Sequence, residues 1–351
     1  MTSPRTRTAS TLNLFASSSI ISLIALVVVA ITMGFQAMLV TLMLMVIEIT
    51  FSFDNAIINA KVLATMSPFW QRIFMTIGIL VAVFGMRIVF PVLVVMVSTG
   101  LPWQHVVDLA LHHANAYAEV LRGAHTAIAA FGGMFLLMLC LHFLFDASRP
   151  IHWIAAIERP LQRVARWWLP ALTSIGVLVV VAFIPLNHHM QATLGAGTVG
   201  ILTYLALAGL AAVFERFHTR SEQRAGRALQ KVGMAGFAAF IYLEVLDASF
   251  SLDGVIGAFA ITQNVILIAI GLGVGALWVR SLTLFMVRRQ LLHAYRYLEH
   301  GAHYTIGALA VLLLVGLFYE IPEYAAGSIG IIIIGLSIMT SKAADERSLS
   351  S

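Results

Sequence analysis

About ten stretches of this chain run apolar over close to the 20 or so residues that a helix needs to cross a hydrocarbon core roughly 30 Å thick. They are read at 18–35, 37–60, 73–97, 124–146, 170–186, 195–214, 232–258, 263–287, 303–319 and 324–341. In lipid a backbone amide finds no water, so runs of this length and polarity are satisfied by helices that bond internally. The expected fold is an all-α, polytopic transmembrane helical bundle. Composition agrees, with 60% hydrophobic and 11% charged residues and a mean hydropathy of +0.94, far from soluble domains. The net charge of +5 does not point to nucleic acid, because the basic residues lie between apolar runs and not clustered on one folded surface. Cys140, the one cysteine, sits inside an apolar run, which excludes an intrachain disulfide and a cysteine-based metal site. The first run follows Arg5 and Arg7 as a signal peptide would, but no small-residue cleavage site follows it, so it is read as an anchor.

Lys and Arg report sidedness, since cytoplasmic loops are enriched in both. With the N-terminus inside, the inner segments hold 18 of the 21 basic residues, including Arg149, Arg159, Arg163 and Arg166 after span 4. Only Arg122 falls in an outer loop, while Arg87 and Arg280 fall within spans. This asymmetry predicts an even number of spans, with the tails 1–17 and 342–351 both cytoplasmic. The segment from Ser148 to Trp168 mixes its arginines with Trp153, Trp167 and Trp168 and reads as an amphipathic piece on the inner leaflet.

The chain also repeats itself. Glu48-Ile-Thr-Phe-Ser-Phe-Asp54-Asn55 in span 2 aligns without gaps with Asp247-Ala-Ser-Phe-Ser-Leu-Asp253-Gly254 in span 7. Further matches follow in the same order: Gly78 and Arg87 with Gly271 and Arg280, Gly123-Ala-His125 with Gly301-Ala-His303, and Ser174-Ile-Gly176 with Ser328-Ile-Gly330. Matched spans are five apart, an odd number, so the halves 18–186 and 187–341 are expected to be two inverted five-helix repeats. Secondary transporters are often built this way, with the site near the midplane where the halves meet.

An ionisable group inside the bilayer costs about 2.5–3.5 kcal/mol on insertion scales, so its default reading is functional. Five carboxylates qualify: Glu48 and Asp54 in span 2, and Glu244, Asp247 and Asp253 in span 7. On a continuous helix Glu48, Ser52 and Asn55 share a face, as do Glu244, Asp247 and Ser251. Asp54 and Asp253 fall well around the helix; they either face another neighbour or join the site where the helix loosens at Phe-Ser-x-Asp, which resembles an N-cap. Carboxylate, amide and hydroxyl oxygens without thiolate suit a hard divalent cation, and crowded acids share protons, so metal-for-proton exchange is a coherent mechanism. Arg87, deep in span 3, is placed to balance the charge of an empty site; Arg280, nearer its span end, is placed either to do the same or to snorkel. His125 and His303 enter their spans at repeat-related positions, as proton relays or as interfacial histidines bonded to backbone. The competing reading of the acids is plain pairing with these arginines in a polar seam of the bundle.

Glu48 through Asn55 and Ala56, together with Ser251-Leu-Asp253-Gly254 and the two Gly–Arg pairs, resemble the paired signatures of the TerC superfamily, in the branch long catalogued as a domain of unknown function. The resemblance covers roughly residues 37–341. It implies a multi-pass protein of the bacterial cytoplasmic membrane. Relatives are associated with tellurium-resistance loci, and some act as Mn²⁺ exporters that need the acids of these motifs. Carried over, the metal-binding residues are Glu48, Asp54, Asn55, Asp247 and Asp253. Two positions depart from the pattern: Gly254 stands where the first half has the amide of Asn55, and Glu244 adds an acid one turn before the second motif. The expected function is export of a divalent cation, Mn²⁺ first, through a mid-membrane site of Glu48, Asp54, Asn55, Glu244, Asp247 and Asp253 supported by the hydroxyls of Ser52 and Ser251. The cation is cargo, and no cofactor is expected. The alternative is a membrane scaffold or assembly factor that uses the same acids for helix association. An enzyme is not expected, since neither a nucleophile–base arrangement nor a motif such as HExxH is present.

Overall fold

The computed structural model describes residues 4–89, 92–93, 96, 100–225, 231–262, 264–319, 321 and 323–350. Among them the architecture is all-α, with no strand and an isolated bridge between Met66 and Lys231. In chain order the helices are α1 (Pro4–Met33), α2 (Phe35–Phe51), α3 (Phe53–Ala64) and α4 (Pro68–Leu80), which runs on as a π-helical segment, Val81–Val89. There follow α5 (Trp103–His112), α6 (Ala114–Gly123), α7 (His125–Leu144), α8 (Ala155–Arg163), α9 (Leu169–Phe183) and α10 (Met190–Ala225). The chain ends with α11 (Gly233–Ile261), α12 (Val265–Arg288), α13 (Leu291–Ala294), α14 (Leu298–Val315) and α15 (Glu323–Ser350).

Among the described residues seven helical stretches are long and apolar enough to cross a membrane, or eight if α2 and α3, bent by 52°, form one span. The other two predicted spans fall on α9, apolar but 15 residues long, and on α11, whose 29 residues carry three acids. The run expected at 73–97 is helical to Val89, and residues 90–91, 94–95 and 97–99 lie outside the described residues. Large apolar side chains stand exposed where a water-soluble protein would hide them, among them Leu23 and Ile31 on α1 and Val180 and Phe183 on α9. The chain is a polytopic membrane protein with lipid as the solvent of these faces.

The helices form two compact units that are not the two sequence halves. The first comprises Met1–Gly123 and Gln230–Gln290; the second comprises Ala124–Leu229 and Leu291–Ser351. Helices matched by the repeat therefore share a unit: α2–α3 with α11 and α4 with α12 in the first, α7 with α14 and α9 with α15 in the second.

In the first unit α12 lies against α2 along a stripe of glycines. A Cβ at Gly271 would stand 2.6 Å from Leu44 Cβ, and one at Gly275 would stand 2.6 Å from Glu48 Cβ. Small residues one turn apart let helix backbones approach in a membrane, where packing and not water drives association. Gly78 of α4 does the same for a charged pair, since its Cβ would fall 2.5 Å from Arg280 Nη1 and 2.7 Å from Glu244 Oε1. In the second unit α7 is the buried centre, and glycines again set its approaches: Gly200 meets the Phe131 carbonyl, and Gly133 faces Leu314.

The stripe gives a test of what holds Glu48 in place. Gly275→Leu is expected to overpack the α2–α12 seam at a cost of about 1–3 kcal/mol. Gly176→Leu, at a position open within 4 Å, is expected to leave the melting temperature of the detergent-solubilised protein close to wild type while Gly275→Leu lowers it. Equal melting temperatures would show that the seam is loose.

Candidate functional site

The first Phe-Ser-x-Asp motif sits at a break in the helix, and the second does not. α2 ends at Phe51, Ser52 takes φ −95° and ψ 15°, and α3 starts at Phe53. α11 runs unbroken through Asp247 and Asp253. Ser52 occupies the N-cap position of α3 without capping it by its side chain, because its hydroxyl donates instead to Glu48 Oε1 at 3.0 Å. Asp54 thereby falls in the first turn of α3, where free amides and the helix dipole favour a carboxylate. It is buried, and it accepts hydrogen bonds from its own and the Asn55 backbone N–H.

Around this break the first unit gathers a network of charge. Arg87, at the C-terminal end of the π-helical segment, donates from Nη2 to Glu48 Oε1 and from Nη1 to the Ala82 carbonyl at 2.8 Å. Arg280 of α12 donates from Nη2 to both oxygens of Glu244, at 3.1 and 3.0 Å, and from Nη1 to the Phe74 carbonyl at 3.0 Å. Its guanidinium also lies 4.1 Å above the Phe74 ring. Asp247 stands between the two arginines, with Oδ2 at 3.7 Å from Arg87 Nη1 and 3.8 Å from Arg280 Nη2. Asn55 closes the arrangement by donating from Nδ2 to Asp247 Oδ1 at 2.8 Å. All of these residues are buried. Long π-helical stretches are rare and concentrate at functional sites, and this one carries the arginine that bridges Glu48 and Asp247.

Two guanidinium groups therefore face three carboxylates, Glu48, Glu244 and Asp247. With all three ionised, one negative charge is left over, and the oxygens reflect it. Asp247 Oδ2 and Asn55 Oδ1 are buried and accept no hydrogen bond, and the same holds for Asn59 Oδ1 one turn further along α3. Such orphans are rare in a folded interior and call for an explanation. Among the described residues no three His, Cys, Asp or Glu side chains converge to hold a metal ion, since each guanidinium occupies the space between a glutamate and Asp247.

Of the residues singled out from the sequence, Glu48, Asn55, Glu244, Asp247, Arg87 and Arg280 come together, with Ser52 attached to Glu48. None of the described side-chain hydrogen bonds or ion pairs joins the Asp54 carboxyl to their side chains. The side chains of Ser251 and Asp253 lie outside the described residues, although their backbone belongs to α11. Arg280 does not snorkel: it is 3% exposed and fully engaged by Glu244 and Phe74. His125 and His303 belong to the second unit. There His303 stacks on Phe143 with ring centroids 3.7 Å apart, and its Nδ1 meets the Glu299 carbonyl at 2.9 Å.

Asn59 and Glu158 are among the buried polar residues that the sequence reading passed over. Asn59 repeats Asn55 at i+4, a spacing that was visible. Glu158 lies in the segment read as a membrane-surface piece, yet it is wholly buried in the second unit. Its carboxylate accepts from the Trp153 and Ile154 amides at 3.2–3.3 Å and from the Tyr304 hydroxyl at 3.3 Å, and lies 3.5 Å from His300 Nε2. It fastens α8 and the preceding turn to α14, and its arginine-rich neighbours in sequence hid that role.

No curated protein and no solved structure matches the chain. A family model described as "Protein of unknown function (DUF475)" matches residues 53–348, from the first turn of α3 to the end of α15, and the chain belongs to that family.

Proposed function

We propose that this protein is a secondary transporter that exports a divalent cation, with Mn²⁺ the expected cargo, in exchange for protons. The observation that carries the reading is Asp247: a buried carboxylate, inside an apolar helix, whose Oδ2 accepts no hydrogen bond although two arginines flank it. The excess of acid over guanidinium leaves a seat for positive charge. Glu48, Glu244, Asp247 and the Asn55 carbonyl supply hard oxygens, the chemistry of Mn²⁺, Mg²⁺ and Ca²⁺ and not of thiol-seeking metals. In the arrangement described here Arg87 and Arg280 fill the places between the acids and offset their charge. Loading then requires the cation to displace a guanidinium from Asp247, and protons neutralise the acids once the cation has left. The paired motifs, read as those of the TerC superfamily, support the same assignment, and the family is then a branch of that group in the bacterial cytoplasmic membrane.

Expression of the wild-type protein is expected to lower the Mn²⁺ content of cells grown in excess Mn²⁺, measured by elemental mass spectrometry. Asp247→Asn and Asp54→Asn should insert normally and lose that effect. Full activity in both would overturn the reading, whereas unchanged metal content with the wild type, together with stable association with membrane-insertion machinery, would support a scaffold instead. Asp247 is the sharper of the two tests, since it stands between both arginines, whereas none of the described ion pairs includes Asp54.

The loop charges support a cytoplasmic position for both termini. A green fluorescent protein fused after Ser351 is expected to fluoresce and an alkaline phosphatase fused there to be inactive, while phosphatase inserted between α5 and α6 should be active. The reverse pattern would invert the direction of transport assigned here.

A further inference from the structure

α3 carries two asparagines one turn apart whose side-chain oxygens have no partner. Asn55 is 1% exposed and Asn59 is 3% exposed, and Asn55 Oδ1 and Asn59 Oδ1 are both buried without a hydrogen bond. Residues four apart on a helix share a face and lie about 6 Å apart along its axis. The Asn55 amide is fixed, since Nδ2 donates to Asp247 Oδ1, and that bond turns Oδ1 away from the arginines' acid. Nothing in the local sequence asks for an amide at 59: its neighbours Ile57, Ile58, Ala60 and Leu63 are all buried and apolar. A helix packed only for stability would carry an aliphatic residue there, because a buried carbonyl without a donor is a net loss.

We infer that Asn59 is a second cation station, on the cytoplasmic side of the Asp247 cluster, which takes the metal from the inner solution and hands it to Asn55 and Asp247. The inference rests on the transport reading above, and it adds a residue and a route that the acid motifs do not contain. The orientation follows from the loop charges, by which α3 runs from the break at Ser52 toward the cytoplasm and toward Lys61. The chemistry fits a station of passage. An amide oxygen is a hard ligand, so it replaces one water of a hydrated divalent cation, yet it carries no charge and does not trap the ion. Conduction through a membrane protein needs sites favourable enough to enter and weak enough to leave. A neutral oxygen one helical turn from Asn55, whose amide bonds the carboxylate of Asp247, meets both needs.

The test uses the full-length protein in proteoliposomes, with Mn²⁺ as the probe, flux followed by quenching of an enclosed chelating dye, and Mn²⁺ varied on the cytoplasmic face. Asn59→Leu, which keeps the branch and the number of heavy atoms and removes the oxygen, is expected to raise the apparent KM for Mn²⁺ by about fivefold or more through lost ground-state affinity. Asn59→Asp, which restores an oxygen ligand, is expected to bring KM back to or below the wild-type value and to slow maximal flux by holding the ion. Should Asn59→Leu not yield a monodisperse protein, Asn59→Gln, which keeps the amide and shifts its oxygen, must show the same rise in KM. Wild-type kinetics in the folded Leu or Gln variant would overturn this inference alone, provided Asp247→Asn still abolishes flux. A wild-type protein that carries no Mn²⁺ would overturn the transport reading itself, and this inference with it.

Discussion

A carboxylate in lipid must be paired, and the first unit of this protein is organised around satisfying that demand incompletely. Glu48 and Glu244 each take an arginine, and Asp247 takes a share of both. Breaking a buried pair by removing one partner typically costs about 3–5 kcal/mol, because a bare charge is left behind. That figure explains why neither arginine reaches for solvent although Arg280 is near a helix end. Of the three acids that face the arginines, Asp247 is the one that shares both guanidinium groups and has neither to itself. With all three acids ionised, the described part of this seam stands one cation short of balance.

Space serves the same end as charge. Gly275 brings the α12 backbone against Glu48, and Gly78 makes room for Arg280 and Glu244. Each of these glycines stands where a methyl group would collide with a member of the network. The Gly–Arg spacing shared by the two halves thus has a physical content: in span 3 and span 8 alike, one residue admits a neighbour and the other supplies a cation. The copies are not equivalent, since Gly78 borders the arginine of the other half while Gly271 borders Leu44.

Much of this was legible in the sequence, and the rest was hidden for definable reasons. Apolar run length located the helices, because lipid allows so few alternatives, and the acids Glu48, Glu244 and Asp247 announced themselves as interruptions. Arg87 could be assigned to charge balance from its depth alone. Arg280 could not, because distance from a span end measures what a side chain is able to do and not whether Phe74 and Glu244 have already engaged it. The helix break was equally obscure. Both motifs read Phe-Ser-x-Asp, yet only the one at Ser52 interrupts its helix, so local preference does not decide the matter and tertiary packing does. Glu158 was obscured by its own neighbours, whose arginines gave the whole segment the look of a surface. The chain's division into units lay beyond reach, since it depends on which glycine stripe meets which helix, and nothing in a linear repeat orders those meetings.

That interleaving of the halves sets a timetable for synthesis. Unit one begins with α1–α6 and is completed by α11 and α12, but the chain between them, Ala124–Leu229, belongs to the other unit. At ribosomal speeds of roughly 5–20 residues per second, the early helices wait on the order of 5–20 seconds for their partners. During that interval Glu48 already has Arg87, 39 residues downstream, a pair the nascent chain can form by itself, whereas Asn55 lacks Asp247 and α2 lacks the glycine face of α12. A ribosome halted after Leu229 would leave the Glu48–Arg87 pair formed but without its seam, which makes α12 the element whose arrival turns a collection of inserted helices into a folded unit.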